Sequence, residues 1–111
     1  MDLDRELAGP GTAVLRPRGR LTLGAASLLK DAVDATVAAG HRVVVVDLGE
    51  TDFLDSSGLG ALVGGLRTAR AAGGDLRIAR AGGQVRTVLE LTTMDRVLVP
   101  YETVDGALGR A

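Results

Sequence analysis

The sequence predicts an α/β domain built on a single mixed β-sheet of about five strands, flanked by about four α-helices. The apolar run at residues 43–46 is typical of a buried central strand, because β-branched side chains suit a sheet covered on both faces. Segments with helical periodicity then alternate with short apolar strands, which favours parallel neighbours joined by right-handed crossovers. A Gly-Pro-Gly turn at residues 9–11 joins two earlier strands and predicts an opening antiparallel hairpin.

Each element follows from a local signal along the chain. Short apolar runs predict strands at residues 3–7, 12–16, 43–48, 75–79 and 97–99. Apolar residues at helical spacing predict helices at residues 25–37, from Ser56 to the Ala-Gly-Gly turn at 72–74, 85–92 and 104–108. Pro17 is expected to end regular pairing unless it lies at an edge, Gly40 to end the first helix, and Thr103 to cap the last. The acidic stretch at residues 50–52 is expected to be a loop.

Composition predicts one domain over residues 1–111 and excludes several classes of function. Hydrophobic residues make up 46% of the chain, and the core must be aliphatic because Phe53 and Tyr101 are its only aromatic residues. The net charge of −1 gives no basic surface for nucleic acid or an anionic membrane. There are no cysteines, no signal peptide is visible, and no apolar run could cross a membrane. We therefore expect a cytoplasmic protein, monomeric when free.

The stretch Leu54-Asp55-Ser56 carries the strongest local signal, because it joins the valine strand to the second predicted helix. Asp55 is a favoured N-cap, and Leu54 and Leu59 have the spacing of a hydrophobic staple around it. Ser56 would then begin the helix with its hydroxyl near solvent, beside the positive helix end. Taken alone, this pattern is also that of an ordinary helix start.

Catalytic and ligand-binding motifs do not fit this chain. The one histidine, His41, lies at the start of the predicted central strand, whereas Ser56 follows the end of that strand. A strand of about seven residues separates them by ~20 Å, which is too far for a Ser-His pair. The pattern Gly58-x-Gly60-x-x-x-Gly64 falls inside a predicted helix behind an acidic loop, whereas a dinucleotide loop places its glycines directly after a strand. We expect no catalytic residues, no cofactor and no metal. The glycines then indicate either close packing of the helix or a smooth docking surface, or both.

Several segments of the chain together resemble a known family. The valine strand, the block Phe53-Leu54-Asp55-Ser56-Ser57-Gly58-Leu59-Gly60, the later Gly-Gly-Asp-Leu at 73–76 and the Thr-Thr-Met-Asp-Arg-Val-Leu at 92–98 resemble the STAS domain of bacterial anti-sigma factor antagonists. The resemblance covers nearly the whole chain.

The resemblance implies a non-enzymatic binding module that works by partner switching. Unphosphorylated members bind an anti-sigma factor that is also a serine kinase, and so release a sigma factor. The kinase phosphorylates the serine after the Asp, here Ser56, with Ser57 as the second candidate, and a serine phosphatase reverses the modification. The implied partner-binding residues are Asp55, Ser56, Ser57, Gly58, Leu59 and Gly60. Phosphorylation at a helix start is expected to leave the fold intact.

One departure from the family pattern concerns the residues before the first helix. The family often has Gly-Glu-Leu-Asp where this chain has Gly-Arg-Leu-Thr at residues 19–22, so Arg20 and Thr22 replace two acidic residues. We therefore expect partner choice to differ from that of other members. Two alternatives stay open: a STAS scaffold of the stressosome kind that works without phosphorylation, and a small nucleotide-binding sensor.

Overall fold

One mixed β-sheet forms the centre of the protein, and the computed structural model describes residues 2–109. The strands in that range are β1 (Asp2–Gly9), β2 (Thr12–Leu21), β3 (Val43–Asp47), β4 (Thr51–Leu54), β5 (Asp75–Ala79) and β6 (Pro100–Tyr101). The helices are α1 (Leu23–Ala38), α2 (Ser56–Ala71), α3 (Gly83–Leu91) and α4 (Val104–Ala107), with a 3-10 turn at Met94–Arg96. The mixed α/β class is confirmed, with one more strand than the sequence predicts.

The strands lie in the order β1-β2-β3-β5-β6, and β4 pairs with the end of β2. β1 and β2 form the predicted antiparallel hairpin. The pairs β2–β3, β3–β5 and β5–β6 are parallel, as the alternation of strands and helices indicated. The C-terminal ends of the parallel strands therefore share one end of the sheet, where helix α2 begins.

The valine strand is buried on both faces. Val44 and Val46 belong to the large core under α1, α2 and α3, whereas Val45 packs with Ala79 of β5 and Ala107 of α4 on the opposite face. No helix of residues 2–109 is long and apolar enough to cross a membrane.

Thr51 and Asp52 of the acidic stretch predicted as a loop belong to strand β4, so that prediction was wrong for these two residues, while Glu50 lies in the turn before the strand. β2 pairs with β3 only as far as Leu15, and its later residues offer a free edge to which β4 binds from Gly19 onward. Thr51 is buried, and its hydroxyl donates to the Pro17 carbonyl at 2.8 Å. Pro17 does not end the strand, because it lies in the gap between these two pairings, where no strand N–H is needed.

The last strand is Pro100–Tyr101 rather than residues 97–99. The backbone N–H groups of Val97 and Leu98 both donate to the Met94 carbonyl, at 3.0 and 2.7 Å, which holds them in a turn after the 3-10 segment. Leu98 is buried in the core, while Val99 is exposed. The predicted end of the first helix is confirmed, since Gly40 has a φ of +99° and its N–H donates to the Val37 carbonyl.

Candidate functional site

Helix α2 begins at Ser56, and Asp55 is its N-cap. The Asp55 side chain accepts a hydrogen bond from the Gly58 N–H at 2.9 Å, so the predicted cap is confirmed. Leu54 and Leu59, the residues of the predicted hydrophobic staple, are both buried and belong to the same core cluster. The cap satisfies a backbone N–H of the first turn and so stabilises the start of α2 at this point.

The two serines have different surroundings. Ser56, the first residue of the helix, is exposed, whereas Ser57 is half-buried. Ser57 lines a shallow groove of about 320 Å³ between α1 and α2, together with Ser27, Lys30 and Gly60. A hydroxyl at the position of Ser56 is therefore open to an approaching protein and lies beside the positive end of a sixteen-residue helix.

The glycines of α2 separate into two kinds. A Cβ built on Gly58 would lie 2.2 Å from the backbone carbonyl oxygen of Leu21, so only glycine lets the helix start approach the end of β2 this closely. A Cβ on Gly65 would lie 2.9 Å from Leu76 Cδ1, which is also a packing constraint. A Cβ built on Gly60 would have no neighbouring atom within 4 Å, and Gly60 is exposed. Packing therefore explains Gly58 and Gly65, while Gly60 leaves the surface near the serine smooth.

The sequence block 55–60 thus divides between the surface and the interior. Asp55, Ser56, Ser57 and Gly60 are at least partly exposed. Gly58 and Leu59 are buried, so they support this face from beneath and do not line it.

Gln84 also positions the start of α2, and no local sequence pattern indicates this role. Its side-chain amide hydrogen-bonds both backbone groups of Leu54, on the side of β4 that β2 does not cover. This role depends on α3 packing beside β4, which is a contact between segments far apart in the chain.

Arg20 lies next to this helix start. It is paired with Phe53 across β2 and β4, and its guanidinium lies over the Phe53 ring at 4.3 Å from the centroid. Phe53 comes three residues before Ser56. The departure from the acidic family pattern therefore places a cation, held by a cation–π contact, on the strand pair that leads into the start of α2.

Titratable side chains form no metal-binding cluster in the described part of the chain, and the one histidine is not placed beside Ser56. His41 precedes the N-terminal end of β3, whereas Ser56 follows the C-terminal end of β4. Because β3 and β4 both run parallel to β2, the two residues lie at opposite ends of the sheet. His41 is half-buried, and its Nδ1 is buried without a hydrogen-bond partner among residues 2–109. No group of three or more His, Asp or Glu side chains in that range could hold a metal ion.

Comparison with known proteins gives the family. The model of the STAS domain family matches residues 7–107. The chain belongs to the STAS domain family. Its observed fold, with a mixed sheet and a helix starting at the Asp-Ser pair, agrees with that assignment.

Individual known proteins are similar to this chain over nearly its whole length. A Thermotoga maritima protein, named as a candidate anti-sigma factor antagonist, is 29% identical over 96 residues, covering 86% of this chain and 85% of that protein. A crystal structure of a Thermotoga maritima protein with the same description has a TM-score of 0.87 and 25% identity, covering 96% of this chain and 92% of that one. An anti-sigma factor antagonist from Mycobacterium paratuberculosis has a TM-score of 0.84 and 28% identity, covering 97% and 91%.

Proposed function

We propose that this STAS domain is an anti-sigma factor antagonist controlled by phosphorylation of Ser56. In the unphosphorylated state it binds an anti-sigma factor that is also a serine kinase, and a sigma factor is released. Phosphorylation by that kinase ends the binding, and a serine phosphatase restores it. The observation that carries the proposal is the exposed Ser56 at the first position of α2, directly after its capping aspartate.

The surroundings of Ser56 support a protein-docking role. We define the docking face as Ser56, Ser57 and Gly60 of α2 with Leu23 at the start of α1. Leu23 follows Leu21, whose carbonyl meets the helix start at Gly58, and it is 75% exposed, so it adds apolar surface that a partner could cover. Ser57 and Gly60 line the groove between α1 and α2.

Phosphorylation of Ser56 would act on this face and leave the fold intact. A phosphate adds about −1.5 to −2 charges at neutral pH. Unpaired N–H groups and the positive end of the helix macrodipole stabilise an anion at a helix N-terminus, so the added charge costs the domain little. On the docking face, the phosphate group adds bulk, and its charge adds a desolvation cost that weakens the binding of a partner.

Arg20 supports a partner with acidic groups at this contact. The stacked guanidinium is part of the exposed surface beside the helix start. A partner that matches a family member with an acidic residue at position 20 would place a cation opposite that residue. In this chain the partner's cation would face Arg20, and like charges across an interface weaken binding. We therefore propose that the cognate anti-sigma factor presents a carboxylate to Arg20.

The test uses three baits: the wild-type protein, Ser56→Ala and Ser56→Asp. Each is incubated with lysate of the source cell, and bound proteins are identified by mass spectrometry. The expected partner is a kinase-like anti-sigma factor retained by the wild type and by Ser56→Ala, and lost with Ser56→Asp. The purified partner with ATP should then phosphorylate the wild type and the matched control Ser57→Ala, and should leave Ser56→Ala unmodified.

Two outcomes would contradict the proposal. Retention of the same partners by all three baits would favour the phosphorylation-independent scaffold. Thermal stabilisation by ATP or GTP, with no protein partner found, would favour the nucleotide sensor. Circular dichroism of Ser56→Asp checks the fold: loss of helical signal would mean that lost binding reports unfolding instead of a switch.

A further inference from the structure

Strand β5 has an incompletely paired edge. On one side it pairs with β3 along its whole length, from Asp75 to Ala79. On the other side it pairs with β6 only at Ile78 and Ala79. Its first three residues therefore have no strand partner on that side among residues 2–109. Because the segment 97–99 turns away before β6 begins, a notch of about 220 Å³ remains between it and the start of β5.

At this open edge, a side chain accepts the hydrogen bond of a backbone N–H group. The Leu76 N–H donates to the Asp75 Oδ1 at 3.0 Å, whereas the Asp75 N–H donates to the Arg42 carbonyl at the β3 side. Successive residues of a strand direct their N–H groups to opposite sides, so the Leu76 N–H faces the notch. The Asp75 carboxylate thus accepts the hydrogen bond that a neighbouring strand's carbonyl would accept. A carbonyl of an added strand could replace the carboxylate as the acceptor.

Positive charge surrounds the notch. Arg70, Arg77 and Arg96 line it together with Asp75, so its three cations and one anion leave two net positive charges. Asp75 is already shared between Arg70, at 3.5 Å, and Arg77, at 3.1 Å. Arg96 is exposed and has no ion-pair partner within residues 2–109. Charge complementarity therefore selects an acidic occupant.

Exposed apolar side chains border the same notch. Val97 and Val99 line it and are 41% and 57% exposed. An extended chain with alternating residues would present its polar side chains to one face and its apolar ones to the other. The notch offers both cationic and apolar side chains, so a segment in which acidic and apolar residues alternate would bring a matching side chain to each kind.

We infer that this notch binds an extended acidic segment of another protein, which adds as a strand along the start of β5. A carbonyl of the segment accepts the Leu76 N–H in place of Asp75, its carboxylates pair with Arg96 and Arg70, and its apolar side chains cover Val97 and Val99. The site is distinct from the docking face, because Ser56 and the notch lie at opposite ends of α2, whose sixteen residues span about 24 Å. Both surfaces can be occupied at once.

The test uses a capped synthetic peptide of about eight residues, long enough for one strand, in which glutamate alternates with threonine or valine. Binding is followed by the amide NMR spectrum and by hydrogen exchange of the uniformly labelled full-length protein. We expect shifts at Leu76 and Arg77 and slower exchange of the Leu76 amide. Arg96→Glu should weaken the affinity about tenfold, since it reverses a charge at the site. Added salt should weaken it as well.

The matched control is Arg5→Glu, an exposed charge reversal on β1 at the opposite edge of the sheet. It changes the net charge equally and should leave the affinity unchanged. Equal binding of a peptide with lysine in place of glutamate would overturn the inference, as would shifts confined to the start of α2. Self-association that Arg96→Glu abolishes would show that a second copy of this chain fills the notch, which would also overturn it.

Discussion

The side-chain amide of Gln84 hydrogen-bonds the backbone of Leu54 in both directions. The Leu54 N–H donates to Gln84 Oε1 at 2.8 Å, and Gln84 Nε2 donates to the Leu54 carbonyl at 3.0 Å. β4 pairs with β2 on its other side, so one glutamine does here what a neighbouring strand would do. Because Asp55 and Ser56 follow Leu54 directly, this contact fixes the chain at the point where the serine is displayed.

Replacing Gln84 should destabilise the protein and loosen the start of α2. Gln84→Leu leaves the N–H and the carbonyl of the buried Leu54 without partners, and we expect a loss of about 1–3 kcal/mol in the free energy of unfolding. Urea unfolding followed by circular dichroism measures it. Thr87→Ala, an exposed change on the same helix, is the control and should stay within ~0.5 kcal/mol. Equal effects of the two changes would show that the Gln84–Leu54 contact adds no stability.

Alanine at Gly58 and at Gly60 should have opposite effects, although both positions lie in the first turns of α2. At Gly58 the new Cβ meets the Leu21 carbonyl oxygen at 2.2 Å, and relieving that clash should cost about 1–3 kcal/mol of stability. At Gly60 there is open space, so the better helix propensity of alanine should add about 0.5–1 kcal/mol. Thermal unfolding of both variants gives the comparison. A stabilising Gly58→Ala would mean that α2 is not seated against β2 as described.

Removing the Asp55 carboxylate should weaken the helix start. Asp55→Ala leaves the Gly58 N–H without its capping acceptor and should cost about 1 kcal/mol, whereas Asp55→Asn keeps an acceptor and should retain most of the stability. The free energy of unfolding of the two variants tests this. If both lose the same amount, the charge of Asp55 matters more than its hydrogen bond.

The ion pair between Lys30 and Asp34 predicts a pH dependence. The Lys30 ammonium donates to the Asp34 carboxylate at 2.6 Å, and this hydrogen bond lowers the pKa of Asp34 below its ordinary value of 3.8, with the Thr68 hydroxyl and the Lys30 charge acting in the same direction. A carboxyl with a lowered pKa stabilises the fold above its unfolded pKa, and that contribution is lost as the pH falls through the folded pKa.

The measurement compares the wild type with Asp34→Asn by urea unfolding at several pH values. Because the Asp34 side chain is 45% exposed, solvent screens the pair, and we expect the variant to be less stable by only ~0.3–0.5 kcal/mol at neutral pH. The difference should shrink as the pH falls below 3.8. Asp31→Asn changes an exposed residue of the same helix that has no ion pair among residues 2–109, and should show no such trend. A gap that persists in acid would mean that the loss does not come from the charge.

Patterns local in the sequence were sufficient to predict much of the fold and the start of α2. The run of valines, the helical spacing after Asp55 and the glycine at position 40 each determine their element through contacts within a few residues, and all three are confirmed. The Asp55 cap is of the same kind, because its acceptor and donor lie three residues apart.

The sequence by itself therefore determined the fold class, the family pattern and the serine at the start of α2. Only the tertiary structure decided that residues 51–54 form a strand, since that strand exists because β2 extends past β3 and offers a free edge. It also decided that Gly58 is needed for packing while Gly60 is open, that Gln84 pairs with Leu54, and that β5 keeps an open edge. Each of these depends on backbone groups brought together from distant segments, and hydrophobic periodicity within one segment carries no information about them.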